Sequence, residues 1–163
     1  MQKYSSKNTS INTINKIYKQ YNFKKDSIIL DYGCGKYDTA IEFMKNKNCI
    51  ILPYDKYNRD KNVNQISLEV AKKENLDYIV CANVLNVIQE DFIIEEIIKH
   101  IFDLSKKNTI ILFSIYEGNK SGIGQVTSKG YQRNEKFISY LTILEKYFIV
   151  EKQKQIYICK KNI

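Results

Sequence analysis

Asp31, Gly33 and Gly35 are the residues of this sequence whose types and spacing most clearly indicate chemistry. They lie in the segment Asp31-Tyr32-Gly33-Cys34-Gly35, directly after the apolar run Ser27-Ile28-Ile29-Leu30. Glycine allows a tight turn and a close approach of the backbone to a ligand. The helix predicted after the turn would point its free N–H groups at that ligand. A carboxylate at the start of such a turn can neutralise an ammonium group.

Asp55 supplies a second carboxylate just after the next predicted strand, Cys49-Ile50-Ile51-Leu52. It follows Gly33 by 22 positions, a spacing that suits hydrogen bonds to both hydroxyls of a ribose. A lone Gly-x-Gly is weak evidence for nucleotide binding, because glycine turns after strands are common. The ordered set of strand, acid-glycine turn, helix, strand and acid is more specific, and it predicts a nucleotide-like ligand.

Strand-like and helix-like segments alternate along the chain. Short β-branched apolar runs are typical of buried strands, and apolar residues at spacings of three and four are typical of helices. This alternation predicts an α/β fold: a doubly wound, mostly parallel, seven-stranded or slightly reduced Rossmann-like sheet that ends in an antiparallel hairpin. The predicted strands are residues 27–31, 49–52, 77–82, 109–115, 148–150 and 156–159, with a weaker one near 65–66, and the predicted helices are residues 10–21, 38–46, 68–73, 92–104 and 134–147.

The segment 31–35 resembles the first motif, Asp-x-Gly-x-Gly-x-Gly, of the class I S-adenosylmethionine (SAM)-dependent methyltransferases. The resemblance implies that this loop holds the methionine moiety of SAM, with Asp31 at its amino group. It also implies that Asp55 grips the ribose and that Lys56 and Tyr57 contact the adenine.

Residues 76–85 resemble the fourth motif of the same family, whose strand end lies near the sulfonium and the substrate. One position departs from the first motif, because Tyr37 stands where the family has its third glycine, and this changes the shape of the turn. The cofactor site that the resemblance implies consists of Asp31, Tyr32, Gly33, Cys34, Gly35, Asp55, Lys56, Tyr57, Cys81, Ala82 and Asn83.

Residues 54–59, 83–88 and 127–132 resemble a narrower methyltransferase group, found in phages and beside bacterial DNA-modification systems. That resemblance implies a nucleic-acid-related role by association only. The Asn-Pro-Pro-Tyr type of motif of many amino-directed DNA methyltransferases is absent, and residues 82–85 stand in its place. Direct methylation of a base nitrogen is therefore disfavoured.

The catalytic residues of a methyl transfer are hard to identify from sequence, because the cofactor supplies the reactive group and the protein binds, orients and excludes water. A strong general base is not always required, and the only histidine, His100, is expected on a helix away from the strand ends. Strand ends and the following loop still offer candidates, each of which could equally be a cap, turn or surface residue. These candidates are Asn86, Tyr116, Glu117 and Gln132.

Lysine is unevenly placed in a chain whose formal net charge is +8: residues 1–25 hold six lysines and residues 152–161 hold four, with no acid in either segment. Two interpretations stay open. A basic N-terminal arm or helix at residues 1–25 could contact nucleic acid. The codon usage of an AT-rich genome would also enrich lysine, and it agrees with two arginines, one proline and no tryptophan.

We expect one domain over residues 1–163, because neither repeats nor linkers interrupt the sequence. No run approaches the roughly 20 apolar residues of a membrane span, and the polar N-terminus lacks the core of a signal peptide, so no membrane partner and a cytoplasmic location are expected. Four cysteines without a C-x-x-C pair and a single histidine argue against a metal site. The sequence indicates neither the methyl acceptor nor the oligomeric state.

Three functions agree with these residues to different degrees. The first is transfer of a methyl group from SAM to an unidentified acceptor, with nucleic acid or a nucleic-acid-related substrate among the candidates. The second is SAM binding without methyl transfer, as a regulator, a SAM-degrading enzyme or a subunit of a complex. A nicotinamide-dependent oxidoreductase is disfavoured, because the G-x-G-x-x-G pattern would need glycine where Asp38 stands.

Overall fold

The computed structural model of the protein describes residues 13–162. No helix in this range is long and apolar enough to cross a membrane. The strands are β1 (Ile28–Tyr32), β2 (Ile50–Tyr54), β3 (Tyr78–Ala82), β4 (Ile110–Ser114), β5 (Gln125–Thr127), β6 (Gly130–Gln132), β7 (Phe148–Gln153) and β8 (Ile156–Lys161). The α-helices are α1 (Lys16–Gln20), α2 (Thr39–Met44), α3 (Lys61–Lys73), α4 (Asp91–Leu104) and α5 (Leu141–Glu145).

Six of these strands form one sheet within the described residues, in the order β2-β1-β3-β4-β8-β7. β1 to β4 pair in parallel, and β8 pairs antiparallel with both β4 and β7. The direction of winding reverses at β1, because the chain first moves outward to β2 and then crosses back to β3. The predicted doubly wound sheet with its C-terminal hairpin is therefore confirmed, with six strands rather than seven. β5 and β6 form a separate antiparallel hairpin.

The sheet is covered on both faces, and its central strands are therefore continuous apolar runs. Ile29 and Leu30 are neighbours in β1 and point to opposite faces. Leu30 belongs to the core beneath α3, α4 and α5, where it joins residues such as Ile98 of α4. Ile29 belongs to the core beneath α1 and α2, where it joins Ile17 and Met44.

The prediction of a weak strand near residues 65–66 is wrong, because these residues lie inside α3. Helical spacing decides the outcome: Ser67 and Ala71, four positions apart, are the buried residues of α3, whereas Ile66 is 60% exposed. The Ser67 hydroxyl also donates a hydrogen bond of 2.6 Å to the carbonyl oxygen of Pro53. The chain therefore passes from β2 to β3 through one helix, and the sheet has one strand fewer than the full prediction.

The first and last predicted helices are both shorter in the structure. α1 begins after Asn15, whose side-chain oxygen accepts hydrogen bonds from two backbone N–H groups of the first turn. The predicted start of the first helix, at residue 10, lies outside the described residues. The helix predicted at residues 134–147 does not begin at residue 134, because Asn134 adopts a left-handed backbone with φ 58°. A 3₁₀-helix at Phe137–Tyr140 takes the place of its first turns and leads into α5.

β2 and β7 are the outer strands of the sheet. Pro53 lies in β2, opposite Asp31 of β1 in the parallel register. The N–H of Ile50 donates to the carbonyl oxygen of Ser27, on the β1 side. Because successive residues of a strand direct their N–H groups to alternate sides, the nitrogen of Pro53 lies on the outer side of β2. The proline therefore removes no hydrogen bond from the pairing of β1 with β2.

We expect Ile98→Ala to lower the free energy of unfolding by about 3 kcal/mol, because the side chain of Ile98, on the buried face of α4, is completely buried. Chemical denaturation measures this change. Ile149→Ala is the matched control, since Ile149 on β7 is 63% exposed and should change the free energy by less than about 0.5 kcal/mol. Equal losses in the two variants would contradict this description of the core.

Candidate active site

A cleft of about 1440 Å³ lies at the carboxyl ends of β1, β2 and β3. Doubly wound sheets bind their ligands at this position. Residues of α1, α4 and the hairpin β5–β6 complete its lining. Pockets for one small molecule usually measure about 300–1000 Å³, and this cleft exceeds that range.

The glycine turn after β1 forms part of the floor of the cleft and is bonded to the end of β2. The N–H groups of Gly33 and Cys34 donate to the carbonyl oxygen of Tyr54, at 2.7 and 3.1 Å. Gly33 has φ 77°, and a Cβ at this position would collide with the side chain of Val84. Both the backbone conformation and the space therefore require glycine at position 33, as the sequence predicts for a close approach.

The Asp55 carboxylate holds this turn from the other side. Its Oδ2 accepts the N–H of Gly35 at 2.9 Å. Its Oδ1 accepts the N–H groups of Tyr57 and Asn58 and the side-chain amide of Asn58, at 2.9 to 3.1 Å. Asp55 is only 8% exposed. Among the described residues, Oδ2 accepts a single hydrogen bond and so keeps the capacity to accept another, which agrees with the predicted contact to a ribose hydroxyl.

Arg59 fastens the same turn, and sequence reasoning gave it no role of its own. Its Nε donates to the carbonyl oxygen of Gly35, one Nη donates to the carbonyl oxygen of Tyr37, and the other pairs with Asp38, each at 2.6 Å. Arginine can reach three acceptors from one planar group, and lysine cannot. An arginine in a chain so rich in lysine was the signal in the sequence that could have indicated a specific role for Arg59. The turn thus accommodates Tyr37 in place of a third glycine.

Asp31 is buried beside the cleft without a cation. Its side chain is 4% exposed, lines the cleft and makes no salt bridge with any described residue. Burial raises the pKa of Asp31 to about 7, while the Tyr18 hydroxyl and the Arg59 guanidinium lower it to a smaller extent. A carboxyl group in this state can lose its proton near neutral pH, and it would be stabilised by a positively charged ligand.

Ten of the eleven predicted cofactor residues line the cleft. Cys81 is the exception, since its side chain is 1% exposed and lies in the core. The alternation of strand side chains explains this, because Cys81 follows Ile79 on the core face while Ala82 faces the cleft. The residues that line the cleft are Asp31, Tyr32, Gly33, Cys34, Gly35, Asp55, Lys56, Tyr57, Ala82 and Asn83.

Three of the four catalytic candidates form one hydrogen-bonded group at the cleft. The Asn86 amide donates to Oε1 of Gln132 at 3.1 Å. The Gln132 amide in turn donates to the carbonyl oxygen of Tyr116 at 3.1 Å, and Oδ1 of Asn86 accepts the N–H of Tyr116 at 3.4 Å. Asn86 is buried, whereas the Tyr116 ring is 62% exposed. Each amide nitrogen has a second hydrogen that these bonds do not use.

Glu117, the fourth candidate, does not line the cleft. Its carboxylate accepts the N–H of Phe137 at 2.7 Å and pairs with Lys120 at 3.1 Å. The hydrogen bond from Phe137 and the neighbouring lysine lower the pKa of Glu117. The structure therefore gives Glu117 a structural role, capping the 3₁₀-helix before α5.

His100 does line the cleft, which corrects the expectation that it lies away from the site. Its Nδ1 is 2.8 Å from the Tyr32 hydroxyl, and its ring packs edge-on against Tyr32 and Tyr54. Burial and the charge of Lys72 lower the pKa of His100. The spacing of Ile93, Ile97 and His100 along α4 was the signal that could have found it, because positions i, i+4 and i+7 share one helix face.

The hairpin β5–β6 forms one wall of the cleft and was expected only as a loop. Asn134 anchors its base: the side-chain amide donates to the carbonyl oxygen of Ile123 at 2.9 Å, and Oδ1 accepts the N–H of Asn119. Arg133 fastens the base to the turn before α4, where it donates to the carbonyl oxygens of Ile88 and Gln89. The residues of the hairpin that line the cleft are Thr127, Ser128, Lys129, Tyr131 and Gln132.

Metal ligands do not cluster in the part of the chain that the structure describes: no three His, Cys, Asp or Glu side chains lie close enough to hold an ion. The four cysteines, which all lie in residues 13–162, are free thiols. Burial raises the pKa of the Cys34 thiol to about 12, so this residue of the glycine turn stays protonated.

Solved structures with this architecture include several methyltransferases. A SAM-dependent methyltransferase from Methanosarcina mazei is 13% identical, with a TM-score of 0.63 over 92% of this chain and 99% of its own. Human N-acetylserotonin methyltransferase in complex with SAM is 15% identical, with a TM-score of 0.57 over 90% of this chain. This chain spans only 51% of the human protein. At these identities the likeness concerns the fold.

Sequence families give the more direct assignment. No curated protein matches the chain. The methyltransferase domain family matches residues 11–145, which is more than half of the sequence and includes every residue of the proposed site. The predictions of a SAM-dependent methyltransferase and of SAM as its cofactor are thereby confirmed, and this chain belongs to the methyltransferase domain family.

Proposed function

We propose that the floor of the cleft binds SAM and that an acceptor enters beside it, past Asn86, Tyr116 and Gln132. The observation that carries this proposal is Asp31, a buried carboxylate that faces the cleft and has no cation among the described residues. The tight turn at Gly33 agrees with it, since that turn brings backbone close to whatever lies on the floor. SAM supplies a methyl group activated by a positively charged sulfur.

Asp31 and Asp55 divide the binding of the cofactor between them. Asp31, once ionised, pairs with the ammonium group of the methionine moiety. Asp55 accepts a ribose hydroxyl at Oδ2, the oxygen with spare capacity. The ring of Tyr57 and the methylene chain of Lys56, which follow it on the lining, flank the adenine, so the Lys56 ammonium group stays in solvent. These roles follow the family pattern, position by position, at residues that line the cleft.

Asn86 and Gln132 orient the acceptor. Each has one amide hydrogen free of the hydrogen bonds described above, so the pair can hold two acceptor atoms of a substrate. Neither amide can take up a proton at neutral pH, and the proposal therefore relies on alignment and exclusion of water rather than on a strong base. His100 is the one titratable imidazole of the chain, and it lies on the lining.

The acceptor class that the charge favours is a nucleic acid or a nucleic-acid-related molecule. The net charge is +8, and lysines line the cleft. A role in the phage and DNA-modification group agrees with this charge. One domain over residues 1–163, a basic arm at 1–25 and a cytoplasmic location remain predictions of the same proposal.

Transfer of a labelled methyl group from SAM to separate pools of DNA, RNA, protein and metabolites tests the function directly. Incorporation into one pool, abolished by Asp31→Ala, is the expected result. SAM binding without incorporation into any pool would favour the alternative of a regulator, a SAM-degrading enzyme or a subunit. Absence of SAM binding by the intact protein would end both.

Asp31→Asn should weaken SAM binding roughly 10- to 100-fold at pH 8, the loss typical of one charged hydrogen bond. The affinity of the unmodified protein should rise from pH 6 to pH 8, because Asp31, with a pKa of about 7, must lose its proton to pair with an ammonium group. The variant should lack this rise. Isothermal titration calorimetry across the pH range measures both, with Asp60→Asn as an exposed control.

The same variant should be more stable than the unmodified protein at pH 8. Because burial raises the folded-state pKa of Asp31 from its ordinary value of 3.8 to about 7, the folded protein binds the proton more tightly than the unfolded chain. Stability is therefore lost as pH rises through this window, and asparagine removes that loss. That loss amounts to about 4 kcal/mol at pH 8, and the cost of burying the asparagine amide offsets part of it, so a net gain of about 2 kcal/mol in the free energy of unfolding is expected. A less stable variant would show that Asp31 is satisfied inside the protein.

Arg59→Lys should lower SAM affinity about tenfold and the free energy of unfolding by about 2 kcal/mol, because lysine cannot bind Gly35, Tyr37 and Asp38 together. Calorimetry and chemical denaturation measure the two effects. Lys61→Arg, a charge-preserving change at the exposed start of α3, is the control. Unchanged SAM affinity in the Arg59 variant would show that the turn keeps its shape without the guanidinium.

A further inference from the structure

The cleft carries opposite charges at two depths. Its floor holds Asp31 and Asp55, which are 4% and 8% exposed. Its mouth holds four lysines with exposed side chains, contributed by α1, by the turn after β2 and by the tip of the hairpin β5–β6. We call these four the lysine rim: Lys16, Lys19, Lys56 and Lys129.

The lysine rim is uncompensated within the described residues. None of its members makes a salt bridge with a described residue. Glu96 of α4 is the one exposed acid among the described residues that line the cleft. Unpaired charges of one sign around a concave surface create a positive potential that attracts an anion.

Aromatic rings lie beside these charges. Tyr57 and Tyr116 line the cleft and are 47% and 62% exposed, and Tyr37 and Tyr131 line it in half-buried positions. Exposed rings and lysines on one concave surface are the features by which proteins hold single-stranded nucleic acid, since the lysines follow the phosphates and the rings stack on the bases.

We propose that the lysine rim binds the sugar-phosphate backbone of single-stranded nucleic acid, with a base stacked on Tyr116. The proposal rests on the proposed function in one respect, because the acceptor would enter the cleft through this mouth. The position of the lysines at the mouth and of the carboxylates at the floor supports this proposal. The acidic floor repels phosphate and favours a cationic cofactor, so phosphates stay at the rim while an uncharged part of the chain reaches inward.

A single strand fits these contacts better than a duplex does. The faces of paired bases are covered by their neighbours in the stack, so rings on a concave surface can reach bases only where the strand is open. An acidic peptide would satisfy the lysines but would leave the tyrosine rings without planar partners. The structure therefore favours an unpaired strand over both alternatives.

Fluorescence anisotropy with a labelled oligothymidine of about 16 nucleotides tests the proposal. The triple variant K16Q/K19Q/K129Q should bind at least about tenfold more weakly, and its slope of log K against log salt should be smaller by about 2, because each lysine at a phosphate contributes about 0.7. The control K45Q/K73Q/K160Q removes the same charge from exposed positions outside the cleft and should change binding less than about threefold.

Stacking is tested separately at Tyr116. Tyr116→Ala should weaken binding at least about fivefold, and Tyr116→Phe should restore it, because phenylalanine keeps the ring. The backbone groups of Tyr116 make its contacts to Asn86 and Gln132, so the folded structure does not depend on this side chain.

Three results would overturn the proposal. These are equal losses in the two triple variants, binding of a duplex of the same sequence as tight as that of the single strand, and binding of polyglutamate as tight as that of the oligonucleotide. Calorimetry with SAM on the same proteins separates this inference from the proposed function. If the unmodified protein binds SAM but no oligonucleotide, the lysine rim proposal fails alone. If it binds the oligonucleotide in the expected way but not SAM, the cofactor assignment fails alone.

Discussion

The hydrogen bond from the Gly35 N–H to the Asp55 carboxylate is the contact on which the cleft depends. It ties the turn that follows β1 to the turn that follows β2, at the point where the winding of the sheet reverses. Arg59, four residues after Asp55, fastens the same turn through three further acceptors. Contacts from β2 and from the segment that follows it thus hold the glycine turn in place. A floor fixed from outside can keep its shape while Tyr37 occupies the place of a glycine.

The carboxylates of Asp31 and Asp55, at neighbouring strand ends, differ in how far the protein itself compensates their charge. Asp55 is surrounded by N–H donors from the chain itself, so its charge is satisfied before any ligand binds. Asp31 is as deeply buried, has no cation within the described residues, and keeps its proton up to about pH 7. Removing a buried carboxylate whose charge is only partly compensated commonly stabilises a protein at the expense of its function. Asp31 has this character, and Asp55 does not.

The sequence allowed prediction of those features that follow from periodicity and from strand ends. Apolar runs located the parallel strands, and the acid-glycine turn located the floor of the cleft. Features that depend on contacts between distant segments could not be read in this way. Arg59 reaches across to another turn, and Glu117 is drawn away from the cleft by the Phe137 N–H. Cys81 and His100 were within reach of pattern analysis, since strand alternation and helix spacing place the first in the core and the second at the cleft.

Part of the positive charge of the chain lies at the mouth of the cleft. The sequence offered two interpretations of a net charge of +8, and composition alone does not choose between them. Codon usage alone would distribute lysines without regard to the cleft. Four of them surround its mouth without salt bridges to described residues, above a floor of buried carboxylates. This arrangement of charge favours a cationic ligand at the floor of the cleft and an anionic one at its mouth.

The proline on the outer side of β2 has a consequence beyond the fold of one molecule. An outermost strand presents N–H and carbonyl groups that can template a strand from another chain, and Ile50 and Ile51 would favour such pairing. Pro53 withholds a donor on that open side and places its ring where an incoming backbone would lie. Within the described residues the sheet can therefore end at β2 without a covering strand, because Pro53 disfavours growth into intermolecular β-aggregates.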